Sequence, residues 1–212
     1  NNIGGLVGYV TSGTAINQCF AVGNVSGFDY AGGLVGYAYS GTINECFGGG
    51  SVSGNDYVGG LAGYSDAAIK KSCATGAASG RNRVGGLVGH SDDAITQCYA
   101  TGDTSGNENV GGLAGYIGYT TVGECYAAGA VLGTKAVGGL IGYKYTSTTV
   151  TKCFWDATTS GIAEGAHGTP LPTAQMQAAR TFLDAGWDFS QTWMICEGKD
   201  YPRFQWEAIE CE

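Results

Sequence analysis

Gly4-Gly5-Leu6-Val7-Gly8-Tyr9 opens the chain, and the phrase returns as Gly32-Gly33-Leu34-Val35-Gly36-Tyr37. Four further copies carry their leucine at Leu61, Leu87, Leu113 and Leu140, so the leucine-to-leucine steps are 28, 27, 26, 26 and 27 residues. A period of this size marks a repeat architecture, in which each unit hides its apolar face against its neighbours.

Outward from the leucine lies a second column: aliphatic, two polar residues, Cys, aromatic. It reads Ile16-Asn17-Gln18-Cys19-Phe20 and Ile43-Asn44-Glu45-Cys46-Phe47, then recurs around Cys98, Cys125 and Cys153. Glycine follows eight residues after each of the first four of these cysteines, at Gly27, Gly54, Gly106 and Gly133. The runs are short, rich in Val, Ile, Thr, Tyr and Phe, and bounded by Gly, Asn, Asp and Ser, which reads as strand. Glycine inside a helix costs about 1 kcal/mol against alanine, so a helical reading is disfavoured. Each repeat is expected to supply two or three short strands and return to its start. About six coils at a strand spacing of about 4.8 Å give an all-β parallel β-solenoid roughly 29 Å long.

Composition agrees with order. Glycine is 39 of 212 residues, yet it stands at fixed places beside Val, Leu and Ile. The net charge of -8 argues against nucleic acid or an anionic membrane as partner. No apolar run reaches the roughly 18 residues of a membrane span, so no insertion is expected. The chain opens directly in a repeat, which reads as a mature product or an excised fragment.

The repeat stops after Phe154. Residues 1–154 form the solenoid and residues 155–212 read as a small mixed C-terminal cap, since a solenoid end exposes strand edges and core. Within it a short helix is expected over residues 174–183, capped by Thr173 and ended by Gly186.

These phrases together resemble the GLUG-motif repeat: Gly-Gly-Leu-Val-Gly, the Cys-aromatic column, and the Val-Ser-Gly endings at Val25-Ser26-Gly27 and Val52-Ser53-Gly54. The tail resembles the usual ending of such arrays through Phe154-Trp155-Asp156, Gln175-Met176, Gly186-Trp187-Asp188-Phe189, Trp193 and Tyr201-Pro202. The resemblance implies a bacterial or archaeal extracellular protein, a class including adhesins and non-catalytic parts of immunoglobulin A-cleaving proteases. It implies no catalytic activity, and the metalloprotease His-Glu-x-x-His motif is absent from this sequence.

Three columns carry chemistry. The cysteine ladder is Cys19, Cys46, Cys98, Cys125 and Cys153; in the third repeat Ser72 takes that column, so Cys73 falls in the aromatic column and faces the other way. Neighbouring coils bring like positions about 4.8 Å apart, but with parallel Cβ vectors. Buried free thiols, rung-to-rung disulfides and a metal site are all compatible with the ladder, and free thiols are the leading reading because no Cys-x2–4-Cys spacing occurs. Off the ladder, Cys196 and Cys211 are expected to form a disulfide worth about 3 kcal/mol in chain entropy.

The second column is Tyr9, Tyr37, Tyr64, His90, Tyr116 and Tyr143, read as packing or as a glycan-stacking strip. A Cys98–His90–Asp triad is set aside, since both Cys98 and His90 belong to repeating columns. The third is the turn row of Asp and Asn. It offers oxygen donors for Ca2+, but no EF-hand or Gly-Gly-x-Gly-x-Asp repeat is present, so solvated turns and no cofactor are expected.

The leading functional expectation is a non-enzymatic extracellular or cell-surface module for adhesion, or a structural stalk. A second is a self-assembling filament or sheath subunit (a homopolymer) whose edge at Ile3, Gly4, Gly5 and Leu6 meets the next molecule. A third is glycan binding along the tyrosines, for which exposure of Tyr37, Tyr64 and Tyr116 is the discriminating observation. The partners implied are other subunits or a cell-surface glycan.

Overall fold

A computed structural model describes residues 1–165, 167–208, 210 and 211. Six coils stack in parallel, and each strand pairs with its equivalents in the coils on either side. The second coil shows the plan: Asp29–Gly32, Val35–Ala38, Gly41–Asn44, Phe47–Gly48 and Val52–Ser53. A complete coil therefore has five strands, not the two or three expected. Glycines between apolar runs keep single strands only two to four residues long, so the count of runs understates the count of strands.

Five parallel sheets result: a glycine sheet, a tyrosine sheet, an isoleucine sheet, an aromatic sheet and a serine sheet, in chain order. The registers keep like residues together, for example Tyr37 with Tyr64, Ile43 with Ile69 and Val52 with Ala78. Inside, Leu34, Leu61, Leu87, Leu113 and Leu140 are fully or almost fully buried, beside Ile43, Ile69, Ile95 and Val122. Each such side chain contributes about 1.5–3 kcal/mol by leaving water. A second strip, Val25, Val52, Val58, Val84, Val110 and Val131, fills the space between the glycine and serine sheets.

Two corners in every complete coil are left-handed, and neither is made by glycine. One is Tyr30, Tyr57, Arg83, Asn109 and Ala136 (φ 52° to 59°); the other is Gln18, Glu45, Lys71, Gln97, Glu124 and Lys152 (φ 43° to 54°). That conformation costs about 1–2 kcal/mol for a residue with a Cβ. Side chains projecting from the corners offset it by bonding between coils. Gln18 donates to Glu45 at 2.9 Å, Gln97 to Glu124 at 3.1 Å, and Lys152 pairs with Glu124 at 3.2 Å.

After Phe154 the chain does two jobs. Trp155 is buried over the last coil, its Nε1 donating to the Ile162 carbonyl at 2.8 Å. Helix α1 (Ala157–Ser160) follows, capped by Asp156 Oδ1, which accepts from the Thr158 and Thr159 amides. Strand Thr169–Leu171 then joins the aromatic sheet as its seventh member. From there the tail runs back along the flank of the solenoid. Instead of one helix over residues 174–183 there are two, α2 (Thr173–Met176) and α3 (Ala179–Asp184), interrupted at Gln177. Thr173 lies inside α2, behind Pro172 at the cap position. Trp193–Met194 pairs antiparallel with Arg203–Phe204.

This strap covers the aromatic column from the third coil to the sixth and leaves Phe20 exposed. Cys73, Tyr99, Tyr126 and Phe154 pack against Phe182, Trp187, Trp193 and Phe204. Tyr126 Oη donates to the Pro202 carbonyl at 2.6 Å, and Tyr99 Oη to the Glu207 carboxylate at 2.8 Å. Cys73 therefore faces away from the ladder cysteines, as the register requires, and supplies a small side chain beneath the strap.

Candidate functional site

The cysteine ladder lies in the core and has a structural role. Cys19, Cys46, Cys98, Cys125 and Cys153 each donate Sγ–H to the carbonyl two residues earlier, at 3.1 to 3.3 Å, across the left-handed corner. Ser72 does the same, its Oγ donating to the Lys70 carbonyl at 2.6 Å. The column thus selects a small X–H donor that satisfies a corner carbonyl, which explains why serine can replace cysteine. Periodicity located the column, but the bond that defines it depends on corner geometry. All five ladder cysteines and Cys73 are free, while Cys196 and Cys211 are joined as expected.

Burial raises the Cys46, Cys73 and Cys125 thiols above their ordinary range; at Cys153 a hydrogen bond with Cys125 acts first and burial second. Of the six free thiols, only Cys19 is partly exposed. Titration of the native protein with a thiol reagent at pH 8 is expected to modify about one cysteine, and about six after unfolding without reductant. Several fast-reacting thiols in the native state would contradict this arrangement.

The turn row is engaged in pairing between coils. Asn82 donates to Asp56 at 2.9 Å and Lys135 pairs with Glu108 at 2.7 Å. Among the described residues no group of three or more His, Cys, Asp or Glu is placed to hold a metal ion.

The tyrosine sheet forms the outward face with the most chemistry. Ring centroids step along the rod at 5.4 Å (Tyr9–Tyr37), 4.7 Å (Tyr37–Tyr64), 4.5 Å (Tyr64–His90), 4.5 Å (His90–Tyr116) and 5.1 Å (Tyr116–Tyr143). Tyr37 and Tyr64 lie almost parallel, at 2°. Tyr37, Tyr64 and Tyr116 are half-buried, between the two outcomes posed from sequence. Within the column the faces of Tyr37 and Tyr64 are turned to their neighbours, so these rings present edges and hydroxyls, while Tyr9 and Tyr143 at the two ends are the exposed members.

Carboxylates bind that edge. Tyr37 Oη donates to Asp66 at 3.1 Å and Tyr64 Oη to Asp92 at 2.6 Å, while His90 Nε2 lies 3.1 Å from Asp92 Oδ1. Cys98 sits at the corner between strands Ile95–Thr96 and Tyr99–Ala100 and donates to the Thr96 carbonyl, so the structure does not assemble the triad considered above. Burial holds His90 below its ordinary value of 6.5. At Asp92 burial pushes upward, but hydrogen bonds from Tyr64 and His90 outweigh it and hold the carboxyl low. Asp66 is raised by burial and works in the opposite sense.

A depressed His90 stabilises the fold above pH 6.5 and loses that contribution as pH falls through its folded value; Asp92 follows the same sign at lower pH. Thermal melting is therefore expected to drop between pH 7 and 5, with Asp66 opposing only near the carboxylate range. His90→Tyr should flatten the drop. An unchanged slope in that variant would assign the dependence elsewhere.

Where the tyrosine column turns to His90, a cleft of about 410 Å³ opens, lined by Arg83, His90, Asp92, Tyr116, Tyr119 and Tyr145. Arg83 lies over the rings of Tyr57 (4.7 Å) and Tyr116 (4.9 Å) and donates to Tyr57 Oη. Tyr119 and Tyr145 stack at 4.2 Å. Sequence reasoning passed over Arg83, Tyr119 and Tyr145. Repeat length alone does not single out the tyrosines: from the leucine to the aliphatic before the Cys corner is 10, 9, 8, 8, 9 and 10 residues from the first coil to the sixth.

The edge residues Ile3 and Gly4 pair with Ala31 and Gly32, and Leu6 is 53% exposed at the outer side of the first coil.

Comparison with known proteins bears on these repeats. Residues 80–105 match the family described as "The GLUG motif". The chain carries the GLUG motif. The matched unit runs from Gly80 through the Leu87 phrase and the Cys98 corner to Ser105, one full coil of the solenoid. A "Putative Gly-rich membrane protein" of Evansella cellulosilytica is 47% identical over 58 residues, which is 27% of this chain and 7% of that protein. The crystal structure of a "putative immunoglobulin A1 protease" from Bacteroides ovatus matches with a TM-score of 0.58 at 21% identity, covering 97% of this chain and 64% of that one. The chain thus spans less than two thirds of each relative, and at this identity the second likeness shows the fold alone. Among the described residues no helix is long and apolar enough to cross a membrane.

Proposed function

We propose that this GLUG solenoid is a non-enzymatic, cofactor-free module of an extracellular or cell-surface protein, which attaches that protein to a surface ligand or holds it away from the cell as a rigid stalk. The observation that carries this reading is the division of the flanks. The strap covers the aromatic sheet from Cys73 of the third coil onward and leaves Phe20 of the first exposed, whereas the tyrosine sheet keeps its polar edge outward along six stacked coils. A core continuous from Val10 to Trp155 leaves the coils no separate freedom, so a ligand held on that face would be held rigidly. The surface charge of -8 favours partners other than nucleic acid.

Beads coated with the folded chain should attach saturably to prokaryotic cells or their wall polysaccharide, while small-angle scattering gives a rigid rod with a solenoid about 29 Å long. Failure to attach to any such surface removes the adhesive reading, and a flexible scattering profile removes the stalk. The alternative, end-to-end assembly into a filament, requires scattering mass to grow with concentration. A constant monomer mass would end it.

A further inference from the structure

We propose that the cleft between Arg83, Asp92 and the Tyr119–Tyr145 pair is a binding site for a neutral pyranose of a surface glycan. This deepens the attachment reading above and rests on it.

Three independent departures from the repeat meet at this one place. In the tyrosine column His90 stands where the adjoining coils have Tyr64 and Tyr116, and the shorter imidazole leaves a notch. In the neighbouring corner column Arg83 follows Tyr30 and Tyr57. The turns of the fifth and sixth coils, one and two residues longer than that of the fourth and equal to those of the second and first, then place Tyr119 and Tyr145 beside the notch. Each change taken alone is a tolerated variation of a repeat. Together they build a wall, a floor and two charged groups.

The wall has a free aromatic surface, which the inner rungs of the ladder lack. Tyr119 is 71% exposed and spends one face on Tyr145, at 15° between planes. Tyr145 is braced edge-on by Tyr116 at 5.7 Å and 87°. The outer face of Tyr119 is thus a held platform for the C–H face of a sugar ring.

The polar groups suit hydroxyls. A guanidinium presents paired N–H donors in a plane, and Arg83 is fixed in orientation between two tyrosine rings with one N–H given to Tyr57. The Asp92 carboxylate, steadied by Tyr64 and His90, presents acceptors. A donor pair and an acceptor pair around an aromatic plate match adjacent hydroxyls on a ring with one apolar face. The two charges cancel and the chain carries -8, so an acidic sugar is disfavoured. A peptide added as a strand is disfavoured too, because the inner strands of this sheet already pair on both sides.

The test titrates the full chain with methyl β-glucopyranoside, methyl β-galactopyranoside and methyl β-glucuronide, followed by tyrosine ring resonances. Saturable shifts of Tyr119 and Tyr145 with a neutral glycoside, weaker with the glucuronide, are expected. Tyr119→Ala should weaken binding about tenfold and Arg83→Lys by a similar factor, as for loss of one good contact. His90→Tyr fills the notch with the residue the column already accepts, and should remove binding while the protein still melts cooperatively.

No saturable binding of either neutral glycoside, equal binding by His90→Tyr, or saturable binding only of a proline-rich peptide would overturn the site. Bead attachment separates it from the broader reading. Beads that attach equally well with Tyr119→Ala and His90→Tyr chains refute the site and leave the module adhesive. Glycoside binding without attachment by wild-type beads leaves the site and refutes the adhesive reading.

Discussion

Gly85→Ala is expected to destabilise the protein by about 3 kcal/mol, more than its size suggests, by forcing the fourth and fifth coils apart. A Cβ on Gly85 would lie 2.1 Å from the Val88 carbonyl oxygen and 2.7 Å from both Ala114 Cα and Gly115 N of the next coil. These are backbone atoms locked in ladders on both sides, so relief requires lost hydrogen bonds and not a rotamer change. Gly123→Ala is the matched control. Its nearest neighbour would be Thr151 Oγ1 at 3.6 Å, and reduced unfolded-chain entropy should leave it neutral or slightly stabilised. Chemical denaturation midpoints compare the two. Equal midpoints would mean that the glycine pairs are not there for close approach.

Trp193→Ala is expected to cost about 3–5 kcal/mol and to act on the strap first. Trp193 is fully buried, 4.6 Å from both Trp187 and Phe204 and against Tyr99 and Tyr126 of the solenoid. Its removal empties the junction of the two antiparallel strands and the flank. Proteolysis should then cut between residues 187 and 207 under conditions where the coils stay intact, and unfolding should start at lower denaturant. A cut between Cys196 and residue 207 leaves the fragments joined by the Cys196–Cys211 bond until reductant is added, whereas a cut before Cys196 releases the tail at once, so gels with and without reductant place the cut. A strap that stays protected, with an unchanged midpoint, would show that the disulfide and the tyrosine hydrogen bonds hold it without the core. Because the strap is loosened before the coils, the cost of about 3–5 kcal/mol refers to the strap, and midpoint and protection are read together.

What the sequence by itself determined is the order along the rod. A 26- to 28-residue recurrence of Leu, Cys and Tyr sets which residue stacks on which, because parallel pairing at one spacing repeats any column written into the chain. That gave the solenoid, the position of the cysteine ladder, the reversed facing of Cys73 and the Cys196–Cys211 pairing. Tertiary structure decided what depends on the turn between columns. The left-handed corners fall on Tyr57, Arg83, Glu45 and their equivalents, none of which the recurrence marks as a corner. Whether the tyrosines offered faces or edges depended on ring orientation, which no period encodes. The strap's path along the flank also escaped the sequence, because its partners Tyr99 and Tyr126 lie 76 to 108 residues away from Pro202 and Glu207. The cleft came from three departures in Arg83, His90 and Tyr119, which stand apart in the chain and adjoin only when the coils close.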